Sequence, residues 1–396
     1  MIVLTGGEIV LPDRRTAGSL FIERDRIAAV DTTKSRVDTA DASIVDVTGH
    51  LIVPGFIDVH VHGVDGHDTL DEGDALGTIA LRLIRYGVTA FCPTTVACSP
   101  IDLRRFLNAV SQARYTPSPR CARVMPAHLE SNFINPEYRG AQPPACLRKP
   151  FVAHEGSFSG QDILGVIAAF RADVGIVTLA PELPGGLDLV RHLVEQNHRV
   201  SLGHSGATFE QAIAAIDAGA HHATHLFNRM SPIAHRAPGL AGAVLSREDV
   251  TAELICDGHH VHPAMCRTAI AAKGLDAIVA ITDGTAGAGL PPGSKARLGG
   301  QTITVHEHAA LLADGTLAGS TLTMDRAFRM IVNTLGMSVV EAARLCATTP
   351  ARKFGLGRVG VIEEGAAGDV VVLDQNLEVA RTFISGREVY ARSATA

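Results

Sequence analysis

The sequence predicts an α/β fold, a (β/α)8 TIM-type barrel with a small β-sandwich domain formed by both termini. Three observations point there. Eight short apolar runs alternate with helix-like stretches through the middle of the chain. Both ends read as short strands punctuated by turns. The ionisable residues of the middle collect at the C-terminal ends of the apolar runs, where barrel enzymes place their sites.

The N-terminal end carries MIVLTGGEIVL, GSLFIERDRIAAV and ASIVDVTGHLIV, and the far end carries AGDVVVLD, LEVARTFIS and GREVYA. The expected division is one small β domain from residues 1–53 and 350–396, around a barrel over 54–349. The buried strand candidates are GFIDVHVHG (55–63), VTAFCPTT (88–95), ARVMPAHLE (122–130), VGIVTLAPE (174–182), RVSLGHS (199–205), HHATHLFN (221–228), TAELICDG (251–258) and DAIVAITDG (276–284). Between them, DALGTIALRLIRYG (74–87), DILGVIAAFRA (162–172) and TFEQAIAAIDAGA (208–220) repeat apolar residues at helical spacing. A doubly wound sheet is the alternative, but it would be favoured by G-x-G-x-x-G between the first strand and helix, which is missing. Segments 131–160 and 285–318 read as longer irregular stretches, candidate active-site loops or lids.

Composition agrees with a large buried core: 396 residues, 46% hydrophobic and 19% charged. Aromatics are only 4% and Trp is absent, so Val, Ala, Leu and Ile must fill that core. A net charge of −6 argues against a general nucleic-acid binder. It leaves room for an anionic small substrate, because one local Arg/His pocket can hold it. Seven scattered cysteines without a C-x-x-C pair predict reduced, mostly buried thiols rather than a zinc ribbon or disulfide framework. The N-terminus lacks the basic start and apolar core of a signal peptide, and no apolar run approaches the ~20 residues of a membrane span. A cytoplasmic protein with no nucleic-acid and no membrane partner is expected.

The chemistry lies in where the ionisable residues fall. The first strand ends in His60-Val61-His62, and alternation puts both imidazoles on one face. The third ends in Glu130, the fifth in His204, the sixth in His225 and the eighth in Asp283. Singly, each has a bland explanation: a hydrogen-bonded histidine, a rim ion pair for Glu130, turn chemistry for Asp283 before Gly284. Recurring at the same end of five strands, they point to a metal site. Imidazole plus carboxylate suits Zn, Fe, Mn or Co better than Ca or Mg.

These residues lie in motifs that resemble a known family. PGFIDVHVHG is similar to the opening metal motif of the amidohydrolase superfamily, and ATTPARKFGLGRVGVIEEGAAGDVVVLD to its return into a small β domain. HLES, SLGHSGAT, THLFNRMSP, RAPGLAGAV, ICDGHHVHP, ITDGTAGAG and LAGSTLTMDRA resemble successive blocks of the N-acetylglucosamine-6-phosphate deacetylases, from about residue 54 to 375. The resemblance implies Glu130, His204 and His225 as ligands of a shared metal position. It implies His60 and His62 as support for a second, with Glu130 bridging, so one or two divalent transition ions per chain, Zn or Fe. Asp283 matches the catalytic acid/base, which also touches the metal. Arg236 and His260 match residues that hold the substrate phosphate, with Asn228 close to the same substrate. Gln142, in YRGAQ, falls in a block near the substrate, a candidate for carbonyl or hydroxyl recognition. His259 and His262 read as structural or surface residues, and His128, His221 and His222 have no ligand match. The implied partner is an amino-sugar phosphate, and the family's habit implies a homodimer.

Two departures stand out. Ser131-Asn132 replaces the Gly-Pro of H-L-E-G-P-F, and Arg229 stands where a small residue commonly follows the Asn of T-H-L-F-N. Both neighbour expected substrate contacts and bear on sugar specificity. Two readings compete with deacetylation of an N-acetyl hexosamine 6-phosphate. One is hydrolysis of a different N-acyl or cyclic amide. The other is a catalytically dead barrel, which the intact set of ionisable residues counts against.

Overall fold

In the computed structural model, which describes residues 1–31 and 42–393, the middle of the chain forms the predicted barrel. Its parallel strands are β1 (Phe56–Val61), β2 (Val88–Thr95), β3 (Ala127–Glu130), β4 (Val174–Leu179), β5 (Arg199–Leu202), β6 (His222–Ala223), β7 (Thr251–Ile255) and β8 (Ile278–Ile281). Each pairs with the next in parallel, with register shifts between β1 and β2 and between β3 and β4. The ring returns to its start just past β8, where Asp283 N donates to His60 O at 3.0 Å and His62 N donates to Gly284 O at 2.8 Å. Every residue of β1 and β2 is buried, because helices cover one face and the barrel interior the other. That is why these strands read as continuous apolar runs.

One helix follows each strand: α1 (Ala75–Leu83), α2 (Pro100–Tyr115), α3 (Gly160–Ala169), α4 (Gly186–Glu195), α5 (Phe209–Asp217), α6 (Gly239–Ser246), α7 (Pro263–Lys273) and α8 (Met324–Asn333). Local chemistry fixes their starts. Ser159 with Asp162, and Thr208 with Gln211, close reciprocal caps that satisfy otherwise orphaned amides. Ser99 caps α2 ahead of Pro100, whose missing N–H costs nothing at that position. The helix expected over 74–87 tightens into a 3-10 turn at Ile84–Tyr86 and stops at Gly87, whose φ of 78° is left-handed.

Two expectations need correction. The strand over 122–130 is split into Arg123–Val124 and Ala127–Glu130, because Pro126 has no amide to give the ladder. The 285–318 stretch is not irregular. It holds a three-stranded antiparallel sheet, Lys295–Leu298, Gln301–Val305 and Ala310–Leu311, over a small core of Val96, Leu298, Ile303, Ala310 and Ala318. Gly299 and Gly300, both at positive φ, make the two-residue hairpin turn between the first two strands. Segment 131–160 does stay open, with only 3-10 turns at Pro136–Tyr138 and Pro144–Cys146.

Strands from both chain ends build two further sheets. One runs Arg26–Asp31, Ser19–Glu23, Ile2–Thr5, Ser43–Asp46; the other runs Arg387–Ala391, Val379–Ile384, Val370–Leu373, Leu51–Pro54, Glu8–Val10, Arg15–Ala17. Leu4, Ile9, Leu20, Ile22, Ile52, Val370 and Phe383 pack between them as a core separate from the barrel's. Parts of the expected terminal domain, 32–41 and 394–396, lie outside the described residues. Arg123 ties barrel to sheet through buried Asp369, which also accepts from Ser385 N at 2.7 Å. The seven cysteines are unpaired and five are buried. Among the described residues, no helix is long and apolar enough to cross a membrane.

Candidate active site

The strand ends deliver the predicted side chains to one place. Glu130 is the last residue of β3, and His204, His225 and Asp283 each stand two residues beyond β5, β6 and β8. These three carry φ of 47°, 31° and 50°. Non-glycine residues rarely adopt such angles, at a cost of about 1–3 kcal/mol each. The turn they impose swings each side chain back over the barrel mouth instead of letting it continue along the strand.

Glu130 occupies the middle. Its Oε1 lies 2.9 Å from both His204 Nε2 and His225 Nε2, and those nitrogens are 3.1 Å apart. On the other side, His60 Nε2 and His62 Nε2 are 3.2 Å apart, and each lies 3.3 Å from Asp283 Oδ1. Glu130 also approaches this second pair, with Oε2 3.5 Å from His62 Nε2 and Oε1 3.8 Å from His60 Nε2. Three groups among the described residues bring ligand atoms close enough to hold a metal ion: Glu130–His204–His225 and His60–His62–Glu130, which share Glu130, and His60–His128–Glu253 behind them. The spacing suits one: ligand atoms at about 2.0–2.2 Å from an ion sit roughly 3–3.5 Å from each other. Imidazole nitrogens facing one another this closely cannot all donate, whereas an ion between them accepts every lone pair.

The charges agree. Burial opposes a charge on His60, but Asp283, Glu253 and Glu130 outweigh it and push its pKa up to about 10. Burial alone would raise Glu130, yet His204, His225 and His60 hold its carboxyl well below the usual range. Asp283 is likewise held below its ordinary value, with His60 and His62 overcoming its burial. Glu130 raises the pKa of His225 against the effect of burial. The carboxylate field that keeps a proton on His60 is the field that would take a divalent cation in its place.

Neighbouring residues aim the rings. His204 Nδ1 donates to Tyr138 O at 2.8 Å, and His60 Nδ1 to Glu253 Oε2 at 2.9 Å. Gln142 donates its amide to Glu130 Oε2 and accepts from Ala97 N at 2.7 Å. Both its polar ends are thus engaged in orienting Glu130. Buried His128 donates Nδ1 to Val59 O at 3.1 Å and accepts from Thr178 Oγ1 at 2.8 Å. Burial pulls its pKa down to about 3, so it stays neutral. His262 caps α7, while His221 and His259 are exposed. Glu253 escaped the sequence reading. The signal was a lone acid inside the apolar run TAELI, where a charge is expensive to bury without a partner.

Above the cluster opens a cavity of about 430 Å³, lined by Gln142, Asn228, Arg229, His260, Asp283 and Leu298 among others. His260 Nδ1 bonds Asp257 Oδ2 at 2.6 Å, and this carboxylate raises its pKa despite burial, favouring the cation. Arg229, at φ 51°, lines the same cavity, as does Glu137. Arg236 is exposed and does not line the cavity of its own chain. Nor do Ser131 and Asn132. Ser131 Oγ donates to Thr178 O at 2.5 Å, and Asn132 Nδ2 to Cys98 O and Cys146 O at 2.8 and 2.7 Å. Of the two departures noted in the sequence, only Arg229 faces the site.

Comparison with known proteins places this site in a family. The model of the Amidohydrolase family matches residues 51–389. An N-acetylgalactosamine-6-phosphate deacetylase of Escherichia coli O157:H7 is 36% identical over 370 residues, 93% of this chain and 95% of that protein. The N-acetylglucosamine-6-phosphate deacetylase of Mus musculus is 36% identical over 398 residues, 97% of this chain and 90% of its own. Among solved structures, an Asp-to-Ala variant of the Mycobacterium smegmatis enzyme in complex with N-acetyl-D-glucosamine-6-phosphate superposes with a TM-score of 0.88. It shows 32% identity and covers 98% of this chain and 99% of that one. The chain belongs to the amidohydrolase family and, within it, to the N-acetylglucosamine-6-phosphate deacetylases.

Proposed function

We propose that the chain hydrolyses the acetamide of N-acetylglucosamine 6-phosphate, or of a related N-acetyl hexosamine 6-phosphate, to an amino-sugar phosphate and acetate. The observation that carries this reading is the approach of Asp283 Oδ1 to within 3.3 Å of two imidazoles in a cluster that could hold a metal, on the floor of a cavity whose wall carries Arg229 and His260. The relatives named above support the substrate class. One of them acts on the galactosamine epimer and is as similar as the glucosamine enzymes, so both hexosamines belong in the proposal.

Glu130, His204 and His225 would hold one divalent ion, and His60 and His62 a second with Glu130 between them. Zinc or iron suits this imidazole–carboxylate set. Such an ion, when bound, supplies Lewis acidity towards a water and the acetyl carbonyl. Asp283, buried and kept anionic by its neighbours, accepts the proton of the attacking water at Oδ1 and returns it to the departing amine. Without that proton the amine would be a very poor leaving group. Asn228 stands where it can orient the sugar, and His260 and Arg229 offer charge-assisted donors to the 6-phosphate. Arg236 does not line its own cavity, so a part in phosphate binding would require a second copy, consistent with the homodimer expected from the family. A barrel over 54–349, a terminal domain from 1–53 and 350–396, and a cytoplasmic location complete the proposal.

Acetate release from N-acetylglucosamine, N-acetylgalactosamine and N-acetylmannosamine, each with and without a 6-phosphate, tests it. A phosphorylated N-acetyl hexosamine should outperform its unphosphorylated form by at least ~10-fold in kcat/KM, the worth of one charge-assisted contact. Indifference to phosphate across the panel would defeat the assignment.

A further inference from the structure

We infer that Glu253 is a positioning residue that fixes which nitrogen of His60 faces the metal-binding cluster, and so supports the His60–His62 ion in particular. The inference rests on the metal-binding reading above. Glu253 sits mid-strand on β7, fully buried between Ala252 and Leu254, which are fully buried too. Nothing in the packing of that strand asks for a charge, and no Arg or Lys neutralises it among the described residues.

Its partners are the site's own histidines. Oε2 lies 2.9 Å from His60 Nδ1 and accepts from the backbone amide of His225 at 3.2 Å, and Oε1 lies 2.9 Å from His222 Nε2. His128 Nδ1 lies 3.6 Å away. An ionised carboxylate only accepts hydrogen bonds, so His60 must carry its hydrogen on Nδ1. In the neutral ring that leaves Nε2 as the bare lone pair, and Nε2 is the atom facing His62 Nε2 and Asp283 Oδ1. The other cluster imidazoles are held differently. His204 has a backbone carbonyl behind it, while Nδ1 of His62 and of His225 has no hydrogen-bond partner among the described residues. His60 alone among the four is backed by a carboxylate, which fixes its tautomer and strengthens it as a donor. His222, whose own Nδ1 is unpartnered, anchors the far oxygen and stops the carboxylate from rotating away.

Two variants separate charge from orientation. Glu253→Gln removes the charge but keeps one acceptor that can still meet His60 Nδ1–H. Glu253→Leu keeps the volume and removes both. Zinc affinity, read by competition against a chromophoric chelator, should fall for one ion only. The loss should be about 10-fold in Glu253→Gln and about 100-fold in Glu253→Leu, the usual range for removing a ligand's carboxylate support. The ion at Glu130–His204–His225 should stay. A folded Glu253→Leu protein that keeps both ions at wild-type affinity, or loses both equally, overturns the inference. The zinc-loaded wild-type protein gives a check that needs no variant. Proton–nitrogen NMR should show the His60 hydrogen on Nδ1, and a hydrogen on Nε2 instead would refute it. Wild-type protein that binds no zinc at all would refute the metal-binding reading itself, which is a separate outcome.

Discussion

Replacing Arg229 with alanine should cost the enzyme its preference for a phosphorylated sugar while sparing the chemical step. Arg229 stands on the cavity wall beside Asn228 and is exposed, and its guanidinium has no hydrogen bond or ion pair with any described residue, although its backbone carbonyl accepts from Ser205 N. A charge-assisted hydrogen bond is worth about 1.5–3 kcal/mol, and exposure to solvent puts this one at the lower end. About 1.5 kcal/mol is a little over ~10-fold in kcat/KM. A guanidinium that meets the phosphate rather than the acetamide contributes to binding and not to the chemical step, so that loss should appear in KM with kcat little changed. Glu137, on the same cavity, opposes an anion and should limit the gain from Arg229 rather than abolish it. The assay is steady-state acetate release with N-acetylglucosamine 6-phosphate and with N-acetylglucosamine, for wild type and Arg229→Ala. Arg229→Lys should restore part of the preference as a point charge without the planar fork. If Arg229→Ala keeps the wild-type ratio between the two substrates, the side chain does not meet the phosphate. The extra charge would then be a surface feature of this chain.

Asp283→Asn keeps the shape of the side chain but removes the proton acceptor, so turnover should fall ~10²–10⁴-fold with metal content checked in the same preparation. Near-native turnover at full metal loading would remove Asp283 from the mechanism. Elemental analysis should find His204→Ala or His225→Ala depleted at the shared position, whereas the His60→Ala, His62→Ala double variant should lose one ion and keep the other. Asp369→Ala strips the buried acceptor of Arg123 and Ser385. Arg123 keeps 35% of its side chain exposed, so the cost should be about 2–3 kcal/mol, below the roughly 3–5 of a fully buried pair. Urea unfolding should show a lower midpoint at unchanged slope.

The barrel could be read from the chain because its two periodicities are strong and repeated. Largely apolar runs such as VTAFCPTT become β2 without shift, since burial on both faces favours apolar residues, and its buried Thr89 and Thr94 satisfy their hydroxyls by hydrogen bonds to the neighbouring β1 backbone. Convergence of His60, His62, Glu130, His204, His225 and Asp283 could be anticipated for a related reason, because strand ends in a barrel all open on one mouth. Their distances could not be anticipated. They depend on the positive φ of His204, His225 and Asp283, a tertiary strain that leaves no mark in residue type. The small sheet over 295–311 was missed because its strands are short and half-exposed, although Gly299-Gly300 marked the turn.

The interior of the barrel exposes a further limit of pattern reading, and a reason for it. An acid at a strand end in the barrel mouth, such as Glu130, announces chemistry because it breaks the apolar run at a place where a ligand can reach. Glu253 breaks its run in the middle, where no ligand reaches, so periodicity alone would call it an error in the strand. Its energetic cost makes sense only with His60, His222 and the His225 amide gathered around it. These come from residues 28 to 193 positions away in sequence. A buried anion is tolerable when donors from several strands share it, and here the donors are the rings and backbone of the site itself. Removing that anion would leave donors of β1 and β6 without an acceptor at once. Site geometry and barrel packing therefore share one hydrogen-bond network, and variants of Glu253 should be read for metal affinity and for fold stability together.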